Sequence, residues 1–383
     1  MPTLNQIAEV LADLVKIESV NPALVPGGEG EEKIARYVAD FLRRAGLEID
    51  LQQVAPGRFN TVGILRGSGG GRSLMLNGHL DTVGVAGMAE PFSARVEERR
   101  LYGRGAQDMK GGLAAALVAA ESLARGPRLK GDVILAGVAD EEYQSVGTRA
   151  LLAGGMKSDA AIVMEPTGLE IATAHKGFAW AEIATFGRAA HGSRPEEGLD
   201  AILFMGRVLT EIERLGKRLA SGPAHPLLGW GSVHASLISG GQELSSYPAR
   251  CKLSLERRLV PGEDNAVLEA ELREIVSNLT SRDPDFKAQL TLGYWARPLE
   301  TPRETLIVRT LARSTRAVLG RDPMIGTQSF WTDAALLSEA GIPSVLFGPG
   351  GEGLHSAVEY VHLDQVAVCA EVLAGCARAF CGA

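Results

Sequence analysis

Histidine and acidic residues that could bind a metal ion stand directly after strand-like segments of this 383-residue chain. His79 and Asp81 follow a short apolar run, and Asp108 follows a glycine-rich turn ahead of an Ala/Leu-rich helix. Imidazole is the commonest metal ligand, and a nearby carboxylate can accept the hydrogen of its other ring nitrogen. Taken alone, however, His79 is more simply explained as a satisfied core or loop histidine. A metal site therefore requires further ligands.

Further candidate ligands occur at comparable positions along the chain. Glu141 and Glu142 follow one apolar run, Glu165 follows another, and His355 lies in a glycine-rich loop after a third. In an open α/β sheet, ligands bind just outside the carboxyl ends of the strands. At one rim, these residues could form two metal sites that share Asp108, each with one histidine and one terminal carboxylate.

The residue types also indicate a chemistry. Imidazole and carboxylate ligands suit zinc, and cobalt or manganese are acceptable too. Two such ions ~3.5–4 Å apart can hold a water, lower its pKa towards neutrality and polarise a carbonyl oxygen. Adjacent glutamates cannot easily serve one ion from one turn, so one of Glu141 and Glu142 would bind metal while the other acts as a base. On a surface loop, such a pair is more often a solvated run of charge.

The elements that must position these residues follow an α/β pattern. Two amphipathic helices come first, and strands then alternate with helices from residue 73 to residue 164. This alternation predicts a mostly parallel sheet with helices on both faces.

The pattern changes near residue 176. Half-exposed strands and amphipathic helices follow in the order β-α-β-β-α-β, which is typical of a ferredoxin-like α+β unit. Near residue 297 the α/β pattern returns. We therefore predict a discontinuous catalytic domain, residues 1–175 and 297–383, with a second domain inserted at residues 176–296. A chain of this length can form two such cores.

Composition excludes several classes of protein. A formal charge of -7 argues against a nucleic-acid binder or a binder of anionic membranes. The apolar runs are shorter than the roughly 20 residues of a membrane span, and the first residues lack the features of a signal peptide. The four cysteines lack Cys-x-x-Cys spacing, which favours reduced packing residues in a cytoplasmic protein.

Five segments resemble those of the M20 metallopeptidase and deacylase family, in the family's order and spacing over almost the whole chain. They are GHLDTV, GRGAQDMKGGLAAAL, DEE, MEPT and GPGGEGLHSAVEYV. The resemblance implies that His79 and Glu165 hold one zinc ion, that Glu142 and His355 hold the other, and that Asp108 bridges the two.

The same resemblance implies how the site works. Asp81 would orient the metal-binding histidine two residues before it. Glu141 would be the general base that takes a proton from the bridging water and passes it to the leaving amine. A cis peptide bond is expected between Asp108 and Met109.

The inserted domain resembles the family's dimerisation and lid domain. In AAHGSRPEEGLDAI, His191 would reach into the partner's active site and stabilise the oxyanion of the tetrahedral intermediate. In CKLSLERRLVPGED, Arg258 would bind the substrate's carboxylate. From the residues alone, His191 is better explained as a loop histidine or a neighbour of a helix cap, and Arg258 could form a surface ion pair with Glu256 or Glu263.

Our leading hypothesis is a cytoplasmic, homodimeric, dizinc amidohydrolase that cleaves an amide bond next to a free carboxylate. An N-acyl amino acid is the expected substrate, which makes the chain a deacylase; a carboxypeptidase or dipeptidase acting on short peptides is the alternative within the family. A catalytically silent relative that serves as a metal-binding assembly module is the alternative from another class. Glu141 and all the candidate ligands are present, which favours the enzyme.

Overall fold

The computed structural model describes residues 3–382, which form two compact units. The first unit comprises the described residues up to Thr173, Thr301–Gln328, and those from Thr332 onwards. The second unit comprises Ala174–Glu300 and Ser329–Trp331. Residues 1 and 383, the outer bounds of the predicted catalytic domain, lie outside the described residues. That one unit is catalytic and the other serves for dimerisation stays a prediction.

The helices and strands of the two units are as follows. The helices are α1 (Leu4–Lys16), α2 (Glu32–Arg44), α3 (Gly111–Ala124), α4 (Val146–Ala153), α5 (Ala201–Ser221), α6 (Asn265–Arg282), α7 (Leu306–Leu319), α8 (Ala334–Glu339) and α9 (Leu363–Cys381). The strands are β1 (Glu48–Ala55), β2 (Arg58–Leu65), β3 (Leu74–His79), β4 (Arg95–Glu97), β5 (Arg100–Tyr102), β6 (Val133–Val138), β7 (Ala160–Val163), β8 (Ile171–His175), β9 (Gly177–Phe186), β10 (Ser232–Gly240), β11 (Arg250–Leu259), β12 (Lys287–Ala296), β13 (Leu299–Glu300), β14 (Ile325–Gln328), β15 (Ser344–Leu346), β16 (Gly351–Glu352) and β17 (Tyr360–His362).

The first unit contains a sheet in the order β1-β2-β6-β3-β7-β15-β8. Its centre, β6-β3-β7-β15, is parallel, and the pairs on either side are antiparallel. The predicted fold class is confirmed, with the parallel strands concentrated where the ligands were expected. The sequence patterns missed β8 because five wholly buried residues have no alternation that would distinguish a strand from a buried helical turn.

Helices cover both faces of this sheet. Leu74 and Leu76 of β3 belong to the large core formed with α1, α3 and α9. Met75 between them is equally buried and lies on the opposite face, because successive strand residues alternate. Helix α3 is rich in alanine and buried on nearly all sides, as expected for a helix enclosed between a sheet and other helices.

The second unit is a four-stranded antiparallel sheet, β10-β11-β9-β12, with α5 and α6 packed on one face. Ile183 of β9 and Leu253 of β11 lie in the core beneath these helices, together with Phe204 of α5. Alternation puts Phe178 and Arg258 on the other face. The observed β-α-β-β-α-β order and strand arrangement are those of the ferredoxin-like unit that was predicted.

Candidate metal centre

The parallel strands deliver the candidate ligands to one end of the sheet of the first unit. His79 is the last residue of β3, Glu142 lies in the turn after β6, and Glu165 follows β7 by two residues. Asp108 lies in an irregular turn, Ala106–Lys110, directly before α3, and its own φ of -117° and ψ of 96° are not helical. His355 lies in the loop between β16 and β17, with a φ of 57° that is uncommon for a residue other than glycine.

Asp108 stands between the two histidines and presents one oxygen to each. Its Oδ1 is 3.0 Å from His79 Nε2, and its Oδ2 is 3.4 Å from His355 Nε2. Burial by itself would raise the pKa of Asp108, but hydrogen bonds from His355 and His79 outweigh burial and lower it. The same contact with Asp108 raises the pKa of His79 well above its ordinary value, although burial opposes it. This is the arrangement expected of a carboxylate that bridges two sites.

Glu142 belongs to the same cluster and Glu165 lies near enough to interact with the charges of Asp108 and His79, and each glutamate has an oxygen without a partner. Glu142 Oε2 lies 3.3 Å from His355 Nε2, and the ligand atoms of His79, Asp108 and Glu142 all lie within 4.8 Å of one another. Oε1 of Glu142 and Oε1 of Glu165 are buried and accept no hydrogen bond. A buried carboxylate oxygen without a donor is unfavourable, and a bound cation would satisfy it. The residues present therefore fit a metal centre.

The electrostatics of the glutamates support the same conclusion. Burial raises the pKa of Glu165 well above its ordinary value, and the nearby charge of Asp108 adds to the effect. Burial and Asp108 also raise the pKa of Glu142. The cluster has more carboxylates than imidazoles, so divalent cations would balance its charge.

Glu141 is partly buried beside the candidate ligands and is not a solvated charge. Burial raises its pKa well above the ordinary value, and the neighbouring charge of Glu165 raises it further. A carboxylate with a raised pKa is a stronger proton acceptor near neutral pH.

Asp81 contacts His79 through its main chain rather than through its carboxylate. The Nδ1–H of His79 donates to the Asp81 carbonyl oxygen at 2.9 Å, whereas the Asp81 Oδ1 is 3.7 Å away. This bond fixes the tautomer and leaves Nε2 of His79 facing Asp108. The Asp81 carboxylate instead accepts the backbone N–H groups of Glu141 and Glu142, at 3.1 and 3.2 Å.

A buried ion pair that the sequence patterns did not single out holds the turn that bears Asp108. Glu359 accepts the backbone N–H groups of Gln107 and Asp108, at 2.9 and 3.2 Å, and pairs with Arg104 at 2.6 Å. Both residues lie within the segments that resemble the M20 family, but they are far apart along the chain and no spacing pattern pairs them. The Asp108–Met109 peptide bond is cis, as the resemblance implied.

Two glycines allow the site-bearing segments to approach each other closely. A Cβ on Gly112, in the first turn of α3, would lie 2.0 Å from the carbonyl oxygen of Met164. A Cβ on Gly348 would lie 2.3 Å from the carbonyl oxygen of Glu165. Larger residues would therefore separate the Asp108 turn and the β15 end from the strand that carries Glu165.

The other two candidate residues lie in the second unit. His191 is exposed, and its Nδ1 is 2.7 Å from Ser193 Oγ. Arg258 is partly exposed, donates from Nε to Glu256 Oε1 at 2.6 Å, and stacks 5.5 Å from the centre of the Phe178 ring. The ion pair with Glu256 that the sequence left open is thus present, and the catalytic and substrate-binding roles stay predictions.

The chain is similar to known proteins over nearly its whole length. The profile of Peptidase family M20/M25/M40 matches residues 75–379. An acetylornithine deacetylase of Myxococcus xanthus is 32% identical over 396 residues, covering 99% of this chain and 99% of the relative. A deformylase of N-formyl-4-amino-5-aminomethyl-2-methylpyrimidine from Halalkalibacterium halodurans is 28% identical, covering 94% and 91%.

A solved structure shares the fold. It is that of a dinuclear metal binding peptidase of the M20 family from Bacillus subtilis, with a TM-score of 0.77 and 16% identity over 99% of this chain and 98% of that one.

Fold and site thus define a metal-dependent hydrolase that acts on amide bonds. The chain belongs to Peptidase family M20/M25/M40, so the resemblance predicted from its motifs and the enzyme class are confirmed. Within the described residues, no helix is both long and apolar enough to cross a membrane.

Proposed function

We propose that this enzyme uses two divalent metal ions to remove the acyl group from an N-acyl amino acid, cleaving the amide bond next to a free carboxylate. The observation that carries the proposal is the position of Asp108, with one carboxylate oxygen towards His79 and the other towards His355. The names of two relatives, a deacetylase and a deformylase, support removal of a small acyl group.

The proposed ligands divide into two sets. His79 and Glu165 hold one ion, Glu142 and His355 hold the other, and Asp108 is shared. Zinc suits these imidazole and carboxylate donors best, and cobalt or manganese suit them as well. When bound, the ions supply Lewis acidity that activates water and polarises the substrate carbonyl. The dinuclear metal binding peptidase with the same fold supports the number of ions.

Glu141 moves the proton in this proposal. It accepts a proton from the attacking water while the oxygen of that water bonds to the amide carbon. It then gives the proton to the amide nitrogen as the carbon–nitrogen bond breaks, so the products are a free amine and a carboxylic acid. The position of Glu141 directly before Glu142, one of the candidate ligands, supports both halves of this cycle, because its carboxyl lies beside the site where the amide bond would be cleaved.

The second unit supplies the substrate contacts. Arg258 binds the carboxylate of the substrate in place of Glu256, since a guanidinium matches a carboxylate with two parallel hydrogen bonds. His191 donates a hydrogen bond to the oxyanion that forms in the active site of a partner subunit. The partial exposure of Arg258 and the exposure of His191 support these roles.

A homodimer through the second unit is part of the proposal. Strand β10 is at the edge of its sheet, and its Leu237 and Ile238 are 73% and 55% exposed. Leu203 on α5, the helix that packs beside β10, is 67% exposed. An exposed edge strand with apolar side chains is the kind of surface that pairs with a second copy. A cytoplasmic location stays a prediction.

A panel of substrates tests the activity. N-acetyl, N-formyl and N-succinyl amino acids and dipeptides are offered to the enzyme as purified, after chelation, and after zinc is returned. We expect the N-acyl amino acids to be cleaved, and the activity to disappear with the metal and return with it. Preference for dipeptides would instead establish the peptidase alternative. Metal-loaded protein that cleaves nothing in the panel would favour the silent assembly module.

A further inference from the structure

The turn that carries Glu141 and Glu142 is held by three buried carboxylates from three parts of the first unit. Each carboxylate accepts backbone N–H groups of this turn, residues 140–146. Glu31 accepts that of Asp140 at 3.2 Å, Asp81 accepts those of Glu141 and Glu142 at 3.1 and 3.2 Å, and Asp140 accepts those of Gln144 and Val146 at 3.2 and 3.3 Å. Side chains therefore hold the turn together with two backbone hydrogen bonds, from Tyr143 and Ser145 to the carbonyl oxygen of Asp140.

One guanidinium and one amide join these three carboxylates. Arg58 donates from Nε and Nη2 to Glu31, and its Nη2 also lies 3.0 Å from Asp140 Oδ1. The side-chain amide of Asn21 donates to Asp81 Oδ2 at 2.8 Å and to Asp140 Oδ1 at 3.0 Å. The network runs without a break from Glu31 to the backbone of Glu141.

Burial makes this network sensitive to its one cation. Glu31, Asp81 and Asp140 are 0–1% exposed, and Arg58 is 8% exposed. Three carboxylates without a counter-charge would repel one another strongly in this environment. The planar fork of Arg58 bonds two of them at once, which the single ammonium of a lysine cannot do with the same geometry.

The turn has to separate two neighbouring glutamates with different tasks. Glu142 lies among the candidate metal ligands, whereas Glu141 must keep a proton-accepting oxygen free. A displacement of about 1 Å at a reacting group can cost about 100-fold in rate. The turn has backbone hydrogen bonds from Tyr143 and Ser145 to the carbonyl oxygen of Asp140, but the N–H groups of Glu141 and Glu142 are bonded to the Asp81 carboxylate. The alignment of these two residues therefore depends on that side chain.

We propose that Arg58 and Asn21 are positioning residues for the reaction: through Glu31, Asp81 and Asp140 they hold the backbone of residues 140–146 so that Glu141 is aligned for proton transfer. The kinetic part rests on the proposed function, since it requires a reaction in which Glu141 moves a proton. The structural part, which concerns the backbone of the turn, does not.

The experiment compares Arg58→Lys with Arg257→Lys as a matched control. Arg257 is also fully buried and also bonds two carboxylates, Glu263 and Glu271, but it lies in the second unit. The two substitutions therefore remove the same kind of fork from a buried arginine. The partners of Arg257 are more exposed, at 23% and 18%, than those of Arg58, at 0% and 2%. The compared quantity is kcat, because Arg258 beside the control is proposed to bind substrate and could alter KM.

We expect Arg58→Lys to lower kcat at least about tenfold, with KM within about twofold and metal content unchanged. Arg257→Lys should keep kcat within about twofold even where it lowers the melting temperature equally. Equal kcat for Arg58→Lys and the wild type would overturn the proposal. Loss of metal in proportion to activity would overturn it too, because the network would then serve Glu142 rather than Glu141.

Two additional measurements keep the test decisive. If Arg58→Lys does not fold, Asn21→Leu removes the amide that joins Asp81 to Asp140 and should lower kcat in the same way. Amide hydrogen exchange over residues 140–146 needs no substrate. We expect it to be at least about tenfold faster in Arg58→Lys and unchanged in Arg257→Lys. Altered exchange in a protein that cleaves no substrate would reject the proposed function alone, and unaltered exchange would reject the positioning role.

Discussion

The metal centre of the first unit and the open sheet face of the second unit hold their polar groups in opposite ways. His79, Asp108 and Glu142 are largely enclosed, and the turns that carry them are fixed by buried side chains such as Glu359 and Asp81. In the second unit, His191 is exposed, and Arg258 pairs only with its neighbour Glu256. The candidate ligands His79, Asp108 and Glu142 are thus buried and held by other side chains, whereas the candidate substrate contacts are accessible. The candidate ligand His355, at 52% exposed, is an exception.

The energetics of the two regions differ accordingly. Breaking a buried pair leaves an uncompensated charge and costs several kcal/mol, about 3–5 in typical cases. The Arg258–Glu256 pair is more exposed, at 34% and 13%, so its exchange for a substrate carboxylate should cost less than breaking a pair of the first unit. Changes in the first region should therefore affect chemistry and metal binding, and changes in the second should affect substrate and oxyanion contacts.

The largest expected effect is that of Glu141→Gln. The amide keeps the shape of the side chain but cannot accept a proton, so kcat should fall about 10²–10⁴-fold. Metal content, measured by elemental analysis, should remain that of the wild type. A variant that loses metal together with activity would show that Glu141 is a ligand and would remove the distinction between the two glutamates.

His191→Ala should have the next largest effect, lowering kcat about 10²–10³-fold, as loss of one oxyanion donor does. Metal content should not change, because the residue lies in the second unit. Mixing this variant with Glu141→Gln after subunit exchange should restore turnover, since one site of a mixed dimer would contain both groups. If the mixture stays inactive although subunit exchange has been demonstrated, His191 does not act in the active site of the partner subunit.

Arg258→Met should mainly weaken substrate binding. We expect KM for N-acyl amino acids to rise about tenfold or more with kcat nearly unchanged, and Arg258→Lys to recover only part of the loss. The control is an N-acyl amine without the carboxylate, for which wild type and variant should be equally poor. An unchanged KM for the acid substrate would leave Arg258 as a surface ion pair.

The smallest expected effect concerns His175, a buried group of the second unit. Burial lowers its pKa to about 4, whereas in the unfolded chain it titrates near 6.5. Between these pH values the unfolded state binds a proton that the folded state does not bind. The free energy of unfolding is therefore highest above pH 6.5 and decreases as the pH falls towards 4. The loss amounts to about 3 kcal/mol at most. The free energy of unfolding, measured with urea at pH 7.5 and at pH 4.5, should therefore decrease less at the lower pH for His175→Gln than for the wild type. An equal decrease in the two proteins would contradict this account.

Much of the fold and of the candidate ligand set could be predicted because the information is local. Strand and helix periodicities show where the parallel strands end, and His79, Glu165 and the Glu141-Glu142 pair stand directly after such ends. The change of pattern near residue 176 likewise predicts a second core. Short elements such as β8 could not be predicted, because they contain too few residues to show a periodicity.

The buried hydrogen bonds and ion pairs that hold the site could not be predicted in this way. Arg58 is 27 residues from Glu31 and 82 from Asp140, and no spacing rule connects them. Whether Asp81 contacts His79 through its carbonyl or its carboxylate depends on the difference between 2.9 and 3.7 Å in the folded chain. Residue types and their periodicity determine which side chains lie at the carboxyl ends of the parallel strands, because secondary structure depends mainly on residues close together in the sequence. Only the tertiary structure determines which buried charged groups pair with each other, because these pairs join residues that are far apart in the sequence.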